Sequence, residues 1–343
     1  MRTVKRILVV QTAFIGDVIL TLPLVQVLKD FMPAAEIDLV AVPRAMEVCR
    51  NHPAIHELIP YDKRGAERGW NGLRSKAKEL RHGKYDLAFI PHRSLRSAFL
   101  AVAARIPLRV GFRRSAGKWL FTRRIPYDGD AHEITRNLSL LEGIGVHDLG
   151  TVLPTVYPGE AERHEVDDLL SREELAGAGT LVAIAPGTIW NTKRWLKERF
   201  AELAQSLARE NIGVILIGGP EDAPLGDEIK NQASHSLVQN LAGKLSLLGS
   251  AECIRRCKVL VSNDSAPMHM AVAVRTPVVA IFGATVPAFG FAPIGENDTV
   301  VETRGLRCRP CSIHGGEKCP IGTFECMMNI TVERVLQRVQ DRL

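Results

Sequence analysis

Short, nearly unbroken runs of Val, Ile and Leu alternate with helix-patterned stretches twice along this chain, and that alternation constrains its fold most. The first series has strand-like runs at Ile7–Val10, Ile37–Val42, Leu87–Ile90 and Arg109–Gly111. Helical patterns near Gly16–Phe31, Leu73–Arg81, Ser94–Ala104 and His132–Leu141 separate or follow them. The second series has strands at Leu181–Ala185, Val214–Ile217, Val259–Ser262 and Val278–Phe282. Its helices lie near Glu198–Arg209, Asp222–Gln232, Leu247–Cys257 and Ser265–Val274. Continuous apolar strands between helices belong to parallel sheets covered on both faces, an α/β class. At 343 residues the chain accommodates two such domains. The extended, proline-bounded Leu153–Pro158 reads as the linker, which places an N-terminal domain at 1–156 and a C-terminal domain at 157–343. Two doubly wound domains are expected to face each other across a cleft, with ligands at the carboxyl ends of the strands.

Two strand-to-helix turns of the second series carry chemistry. In Ile184-Ala-Pro-Gly-Thr-Ile-Trp-Asn-Thr-Lys-Arg-Trp195, Gly187, Thr188 and Lys193 stand where a phosphate fits. In Val261-Ser-Asn-Asp-Ser-Ala-Pro-Met-His269, Ser265 and Ala266 open a helix beside Asp264. Unpaired amides and the positive end of the helix dipole attract anions there, so two such mouths point to a diphosphate. The plainer reading is two ordinary turns. In the first series, strand one runs into Gln11-Thr-Ala-Phe-Ile-Gly-Asp17, without the G-x-G-x-x-G of a dinucleotide site. Asp17 is either a helix-capping carboxylate or a functional one at the sheet's carboxyl edge. Pro23 is expected to bend or restart the helix that follows.

Charge is lopsided. Residues 1–150 carry 24 Lys/Arg against 15 Asp/Glu, whereas 151–343 carry 20 against 23. Between Lys63 and Arg124 there are 17 basic residues opposed only by Glu67, Glu79 and Asp86. Such a field favours an anionic partner: nucleic acid, a phosphorylated small molecule or an anionic membrane surface. The longest apolar run, near Ala98–Ala104, is far below the roughly 20 residues that span a bilayer. No signal-peptide pattern precedes Ile7, so a cytoplasmic protein is expected.

Four of the seven cysteines, Cys308, Cys311, Cys319 and Cys326, are spaced x2, x7 and x6 near the C-terminus. In a reducing compartment four thiolates at such spacing hold zinc or, alternatively, remain a reduced loop; an iron–sulfur cluster is also chemically open. Cys49, Cys253 and Cys257 read as packing residues. Asp128-Gly-Asp130 lies in a Pro/Gly-flanked stretch and reads as a turn rather than a metal site. Thr331–Leu343 reads as an N-capped helix.

Taken in order, F-I-G-D-V-I-L-T-L-P, A-P-G-T-x-x-x-x-K-R-W and S-N-D-S-A-P-M-H-M-A resemble the bacterial lipopolysaccharide (ADP-heptose) heptosyltransferases, glycosyltransferase family 9, over essentially the whole chain. The resemblance implies a GT-B-type fold of two facing Rossmann-like domains, the N-terminal one for acceptor and the C-terminal one for nucleotide sugar. It implies inverting transfer of L-glycero-D-manno-heptose from ADP to Kdo–lipid A or to the first heptose, leaning to the second transfer. Asp17 would be the general base; Lys193, Thr188 and Ser265 would serve the diphosphate. Asp264 and His269 would frame nucleotide and sugar, and Glu221, beside Asp222, would stand near the ribose. No cofactor is then required for the chemistry, since Lys193 and helix amides meet the leaving-group charge.

The basic belt would hold a phosphorylated Kdo-bearing glycolipid at the cytoplasmic face of the inner membrane. His92, Arg93 and Arg96 lie in one βα turn, and Arg113 and Arg114 interleave with Phe112, Trp119, Leu120 and Phe121 as at an interfacial surface. The terminal helix in such folds often packs back across the cleft. A related transferase with another nucleotide sugar would share these motifs. A basic nucleic-acid-binding protein with a zinc knuckle is the rival of a different class, and the scarcity of aromatics placed for stacking argues against a nucleic-acid partner.

Overall fold

The computed structural model describes residues 4–172, 175 and 178–343; the start of the chain, on which the leader-sequence reading partly rests, lies outside them at 1–3. The chain divides into two compact units, Met1–Tyr157 and Pro158–Leu343. Six strands build the first: β1 (Arg6–Val10), β2 (Glu36–Ala41), β3 (Glu57–Pro60), β4 (Leu87–Ile90), β5 (Leu108–Phe112) and β6 (Arg123–Ile125). Six more build the second: β7 (Thr180–Ala185), β8 (Ile212–Leu216), β9 (Val238–Asn240), β10 (Val259–Asn263), β11 (Val278–Phe282) and β12 (Thr299–Glu302). All pairings are parallel, for example Val9 with Leu39 and Phe89, and Val261 with Ile184 and Val279.

Spatial order in the first sheet is β3-β2-β1-β4-β5-β6, and in the second β12-β11-β10-β7-β8-β9. Counted from each unit's own first strand, both are 3-2-1-4-5-6, the doubly wound order. Strand order therefore reverses between β1 and β4 and again between β7 and β10. At such a reversal the helices leave to opposite faces and open a crevice at the strands' carboxyl ends, where ligands of open α/β sheets sit.

The central strands are buried along their length because helices cover both faces. Val182, Ile184, Val214, Leu216, Val261 and Ile281 belong to one apolar core with Phe200, Leu203 and Leu207 of the helix Lys197–Arg209. Trp195 sits in that core at 1% exposure, edge-on to Phe200 at 4.9 Å, and its indole N–H donates to the Ile330 carbonyl at 3.0 Å. The terminal helix Val332–Gln340 sends Val332, Val335 and Val339 into this same core.

Pro23 restarts the helix, as its position predicts: the stretch Gly16–Phe31 is two helices, Ile15–Ile19 and Leu22–Phe31, because proline starts a helix well but cannot continue one. The break is held by buried polar groups: Thr21 Oγ1 donates to the Asp17 carbonyl at 2.8 Å and Asn137 Nδ2 to the Leu20 carbonyl at 3.0 Å. Leu153–Tyr157 is no free tether, since Gln26 of the second helix donates to the Leu153 carbonyl at 3.1 Å and accepts from the Thr155 amide at 3.0 Å.

Candidate functional site

Each topological reversal gathers residues from two βα turns. In the second unit, the turn after β7 carries Gly187, Thr188 and Lys193, and the turn after β10 carries Asp264, Ser265 and Ala266. Asn263 ties the turns together: its side-chain oxygen accepts from the Trp195 amide at 3.0 Å, and its Nδ2 donates to the Pro186 carbonyl at 2.9 Å. Lys193 Nζ lies 2.6 Å from Asp264 Oδ2, with both side chains largely buried. Thr285, just past β11, donates its hydroxyl proton to the same Asp264 oxygen at 2.7 Å. A buried ammonium–carboxylate pair is thus held at the carboxyl ends of β7 and β10, its carboxylate further hydrogen-bonded by Thr285. Ser265 is the N-cap of Ala266–Ala273, and His269 is buried in that helix.

Gly187 is dictated by what lies against it. A Cβ there would sit 2.1 Å from Asp222 Oδ1. Asp222 Oδ2 accepts from the Gly219 amide at 3.0 Å, closing the turn after β8, while neighbouring Glu221 is exposed. Asp222 is thus committed to its own turn. Thr188 Oγ1 accepts from the Trp190 amide at 3.3 Å, and Arg194 donates to the Thr188 carbonyl at 2.8 Å, so the loop is braced from within.

In the first unit the reversal brings together the turns after β1 and β4. Asp17 stands in the first turn of its short helix and accepts from the Phe14 amide at 3.1 Å, so its carboxylate caps the helix start. Its carboxylate is within electrostatic reach of Lys63 and Glu133. Lys63 Nζ donates to Thr12 Oγ1 at 3.2 Å, and burial, with Arg64 and Arg96 nearby, lowers its pKa. Burial pushes the Glu133 carboxyl up to about 7, against the pull of Arg136, with Asp17 adding to the rise. Neither Lys63 nor Glu133 stood out in the sequence, because nothing local marks a residue that folding carries to a distant βα turn.

The five basic candidates separate. His92 Nδ1 lies 3.0 Å from Thr12 Oγ1 and 3.1 Å from Ser97 Oγ, and burial lowers its pKa to about 4, so it is a neutral brace at pH 7 rather than a cation for an anionic ligand. Arg96 is likewise committed to the chain: it donates to the Tyr61 hydroxyl and to the carbonyls of Glu67 (2.7 Å) and Gly69 (3.1 Å). Arg113 donates to the Arg124 carbonyl at 3.2 Å across to β6. Arg93 and Arg114 converge instead on the Tyr127 ring, at 4.3 and 5.9 Å from its centroid, and Arg136 joins them at 5.1 Å. The interfacial reading of the belt also changes, because Phe112 and Phe121 are core residues. Trp119, 61% exposed, and Trp70, 67% exposed, are left outside, with Leu95 also exposed.

Asp128-Gly-Asp130 is a turn, with Asp128 Oδ1 accepting from the Asp130 amide at 2.9 Å. Cys49, Cys253 and Cys257 are buried, and burial pushes the Cys49 thiol up to about 12. Cys308, Cys311, Cys319 and Cys326 all line one pocket of about 260 Å³ and form no disulfide. Backbone amides of Phe324, Ile321, Gly322 and Thr323 point at Cys319 Sγ and hold its pKa below the ordinary thiol value. Among the described residues the only set of three potential ligands with all its ligand atoms within 4.8 Å of one another is Asp38, His56 and Glu57. Asp38 there is already bonded to the Tyr85 hydroxyl, Arg6 and His56.

Two doubly wound units, the second with a lysine and a helix start at its strand-order reversal, are the parts of a GT-B-type glycosyltransferase, and the comparisons supply that class. The chain belongs to glycosyltransferase family 9 (heptosyltransferase), which it matches over residues 73–318. Lipopolysaccharide heptosyltransferase 2 of Salmonella typhimurium is 28% identical over 98% of each chain. The structure of the glycosyl transferase family 9 protein from Veillonella parvula superposes with a TM-score of 0.85 at 26% identity, covering 99% of this chain and 98% of that one. That of the E. coli ADP-heptose lipopolysaccharide heptosyltransferase II gives 0.81 at 26% identity over 98% of both. Family membership removes the nucleic-acid-binding rival as the chain's class. No described helix is long and apolar enough to cross a membrane.

Proposed function

We propose that this glycosyltransferase moves heptose, with inversion, from ADP-L-glycero-D-manno-heptose to the Kdo/heptose inner core of lipopolysaccharide, in the second-heptose position of that sequence. The observation that carries this reading is the buried Lys193–Asp264–Thr285 set at the β7/β10 reversal, in a chain whose full-length relatives bear the name of that activity. The C-terminal unit serves the donor. Lys193 and the amides at Ser265 and Ala266 meet the diphosphate, with Gly187 and Thr188 lining its other side. Asp264 and His269 frame nucleotide and sugar, and Glu221 stands near the ribose.

The N-terminal unit serves the acceptor. Asp17 takes the proton of the attacking hydroxyl as that oxygen bonds to the anomeric carbon and the bond to ADP breaks. Negative charge grows on the diphosphate, where a fixed cation and amide dipoles are worth most because they need no reorganisation. Arg93 and Arg114 present guanidinium groups to carboxylates or phosphates of the acceptor. Trp70, Trp119 and the surrounding arginines seat the enzyme on the inner membrane's cytoplasmic face. No cofactor enters the chemistry in this reading, and the four-cysteine loop takes a structural zinc.

Transfer from ADP-heptose to purified lipopolysaccharide truncated after Kdo, or after the first heptose, tests the assignment. Turnover is expected on the second acceptor, with loss in Lys193→Ala. A folded protein that turns over neither acceptor, or that prefers UDP or GDP sugars, would sink it.

A further inference from the structure

The cysteine loop reaches the donor turns from two sides. On one side, Arg309 donates to the Thr285 carbonyl at 2.7 and 3.1 Å and to the Thr303 carbonyl at 2.9 Å, and pairs with Glu302 at 2.8 Å. The Cys311 amide donates to the Ala284 carbonyl at 2.9 Å. These contacts fix the backbone of Thr285, whose hydroxyl holds Asp264. On the other side, the Thr192 amide donates to the Gly316 carbonyl at 2.9 Å, and the Gly316 amide to Thr192 Oγ1 at 2.7 Å. Gly315, at φ +85°, lies so close that a Cβ would meet Lys193 Cγ at 2.9 Å. The loop between the second and third cysteines thus backs the lysine, and the loop between the first two backs its counter-ion.

We propose that Cys308, Cys311, Cys319 and Cys326 form a four-thiolate site for a soft metal, and that its occupancy sets nucleotide affinity by bracing Lys193 and Asp264 from both sides. The donor set fits: four sulfurs open on one pocket, and four amides already solvate Cys319 Sγ as they would a metal-bound thiolate. A tetrahedral zinc site has sulfurs about 3.8 Å apart. One ion held by all four thiolates would tie the two halves of the loop together, and that restraint passes through Arg309 and Gly316 to the donor turns. Zinc and an iron centre share this thiolate chemistry. The coupling rests on the donor-site reading given above, whereas the metal site does not.

The test is metal and acid-labile sulfide analysis of the full-length protein, followed by calorimetry of ADP binding to the purified, chelator-stripped and zinc-reconstituted forms, with circular dichroism as the folding control. Expected are about one zinc per chain, or iron with sulfide, lost in the Cys311→Ser/Cys319→Ser double variant. Stripping should weaken ADP binding by about five- to tenfold, the scale of one charge-assisted contact, and zinc or iron should restore it. Thr192→Val should keep its metal but bind ADP more weakly and respond less to stripping, since the Arg309 side remains. Protein that neither retains metal nor takes up zinc or cobalt would overturn the site. Metal with unchanged ADP affinity after stripping would overturn the coupling. Metal-loaded protein that binds no ADP would instead sink the donor reading, and the coupling with it, while leaving the thiolate site standing.

Discussion

Asp17→Asn keeps a side-chain oxygen for the Phe14 amide and so preserves the cap, but removes the basic carboxylate. Transfer should fall by about 10²- to 10⁴-fold, the usual contribution of a general base, with ADP affinity unchanged by calorimetry. Retention of near-normal turnover would remove Asp17 from the chemistry. Glu133 gives a second expectation, on stability. Its folded pKa of about 7 lies above the ordinary 4.5, so the folded state binds the extra proton between those values. Its contribution is therefore fully present below about pH 4.5 and lost as pH rises through 7. In thermal melts of Glu133→Gln beside the native protein, the variant should gain on the native chain between pH 5 and 8; a constant difference would show that Glu133 ionises normally.

At the scale of elements, the second unit's site depends on two βα turns being held in register by one amide. Asn263→Ala leaves the Trp195 N–H and the Pro186 carbonyl without their buried partner, at a cost of about 1–3 kcal/mol. Urea unfolding should show that loss, and ADP binding should weaken with it, because Lys193 is two residues from Trp195. Elements of this kind were legible in the sequence wherever burial on both faces forced a pure apolar run: β1, β4, β7 and β10, with the turns that follow them, lie where the pattern put them. β3, β9 and β12 escaped because an edge strand needs few apolar residues, and β6 reads Arg-Arg-Ile. The helix Glu160–Arg172 was hidden by its strongly polar composition. Within the site, Lys193 and Asp264 were legible separately, but their pairing was not, since nothing in a linear pattern joins residues 71 positions apart. Thr285 was recoverable in principle, lying just beyond the carboxyl end of a strand.

For the whole molecule, the excess of positive charge belongs to one unit. Met1–Tyr157 carries 24 basic against 15 acidic side chains, and Pro158–Leu343 has 20 against 23. Attachment to an anionic bilayer should therefore run through the first unit and weaken steeply with salt. Co-sedimentation with phosphatidylglycerol vesicles is expected to be strong at 50 mM salt, a concentration giving a Debye length of roughly 14 Å, and largely lost near 0.5 M. Arg113→Glu with Arg114→Glu should reduce it at low salt. Equal sedimentation with zwitterionic vesicles would point to Trp70 and Trp119 alone as the anchor.

The borders of both sheets carry a consequence for how this protein behaves when concentrated. Each sheet is bounded by strands of only three or four residues, β3 and β6 in one and β12 and β9 in the other. An exposed strand edge is a template on which a neighbouring molecule can polymerise, and brevity and charge are what blunt it. Arg123 and Arg124 add like-charge repulsion at one border. The long Val/Ile/Leu strands that would seed fibrils are the innermost ones, so a chain this rich in aggregation-prone segments remains dispersed for as long as its short outer strands stay paired.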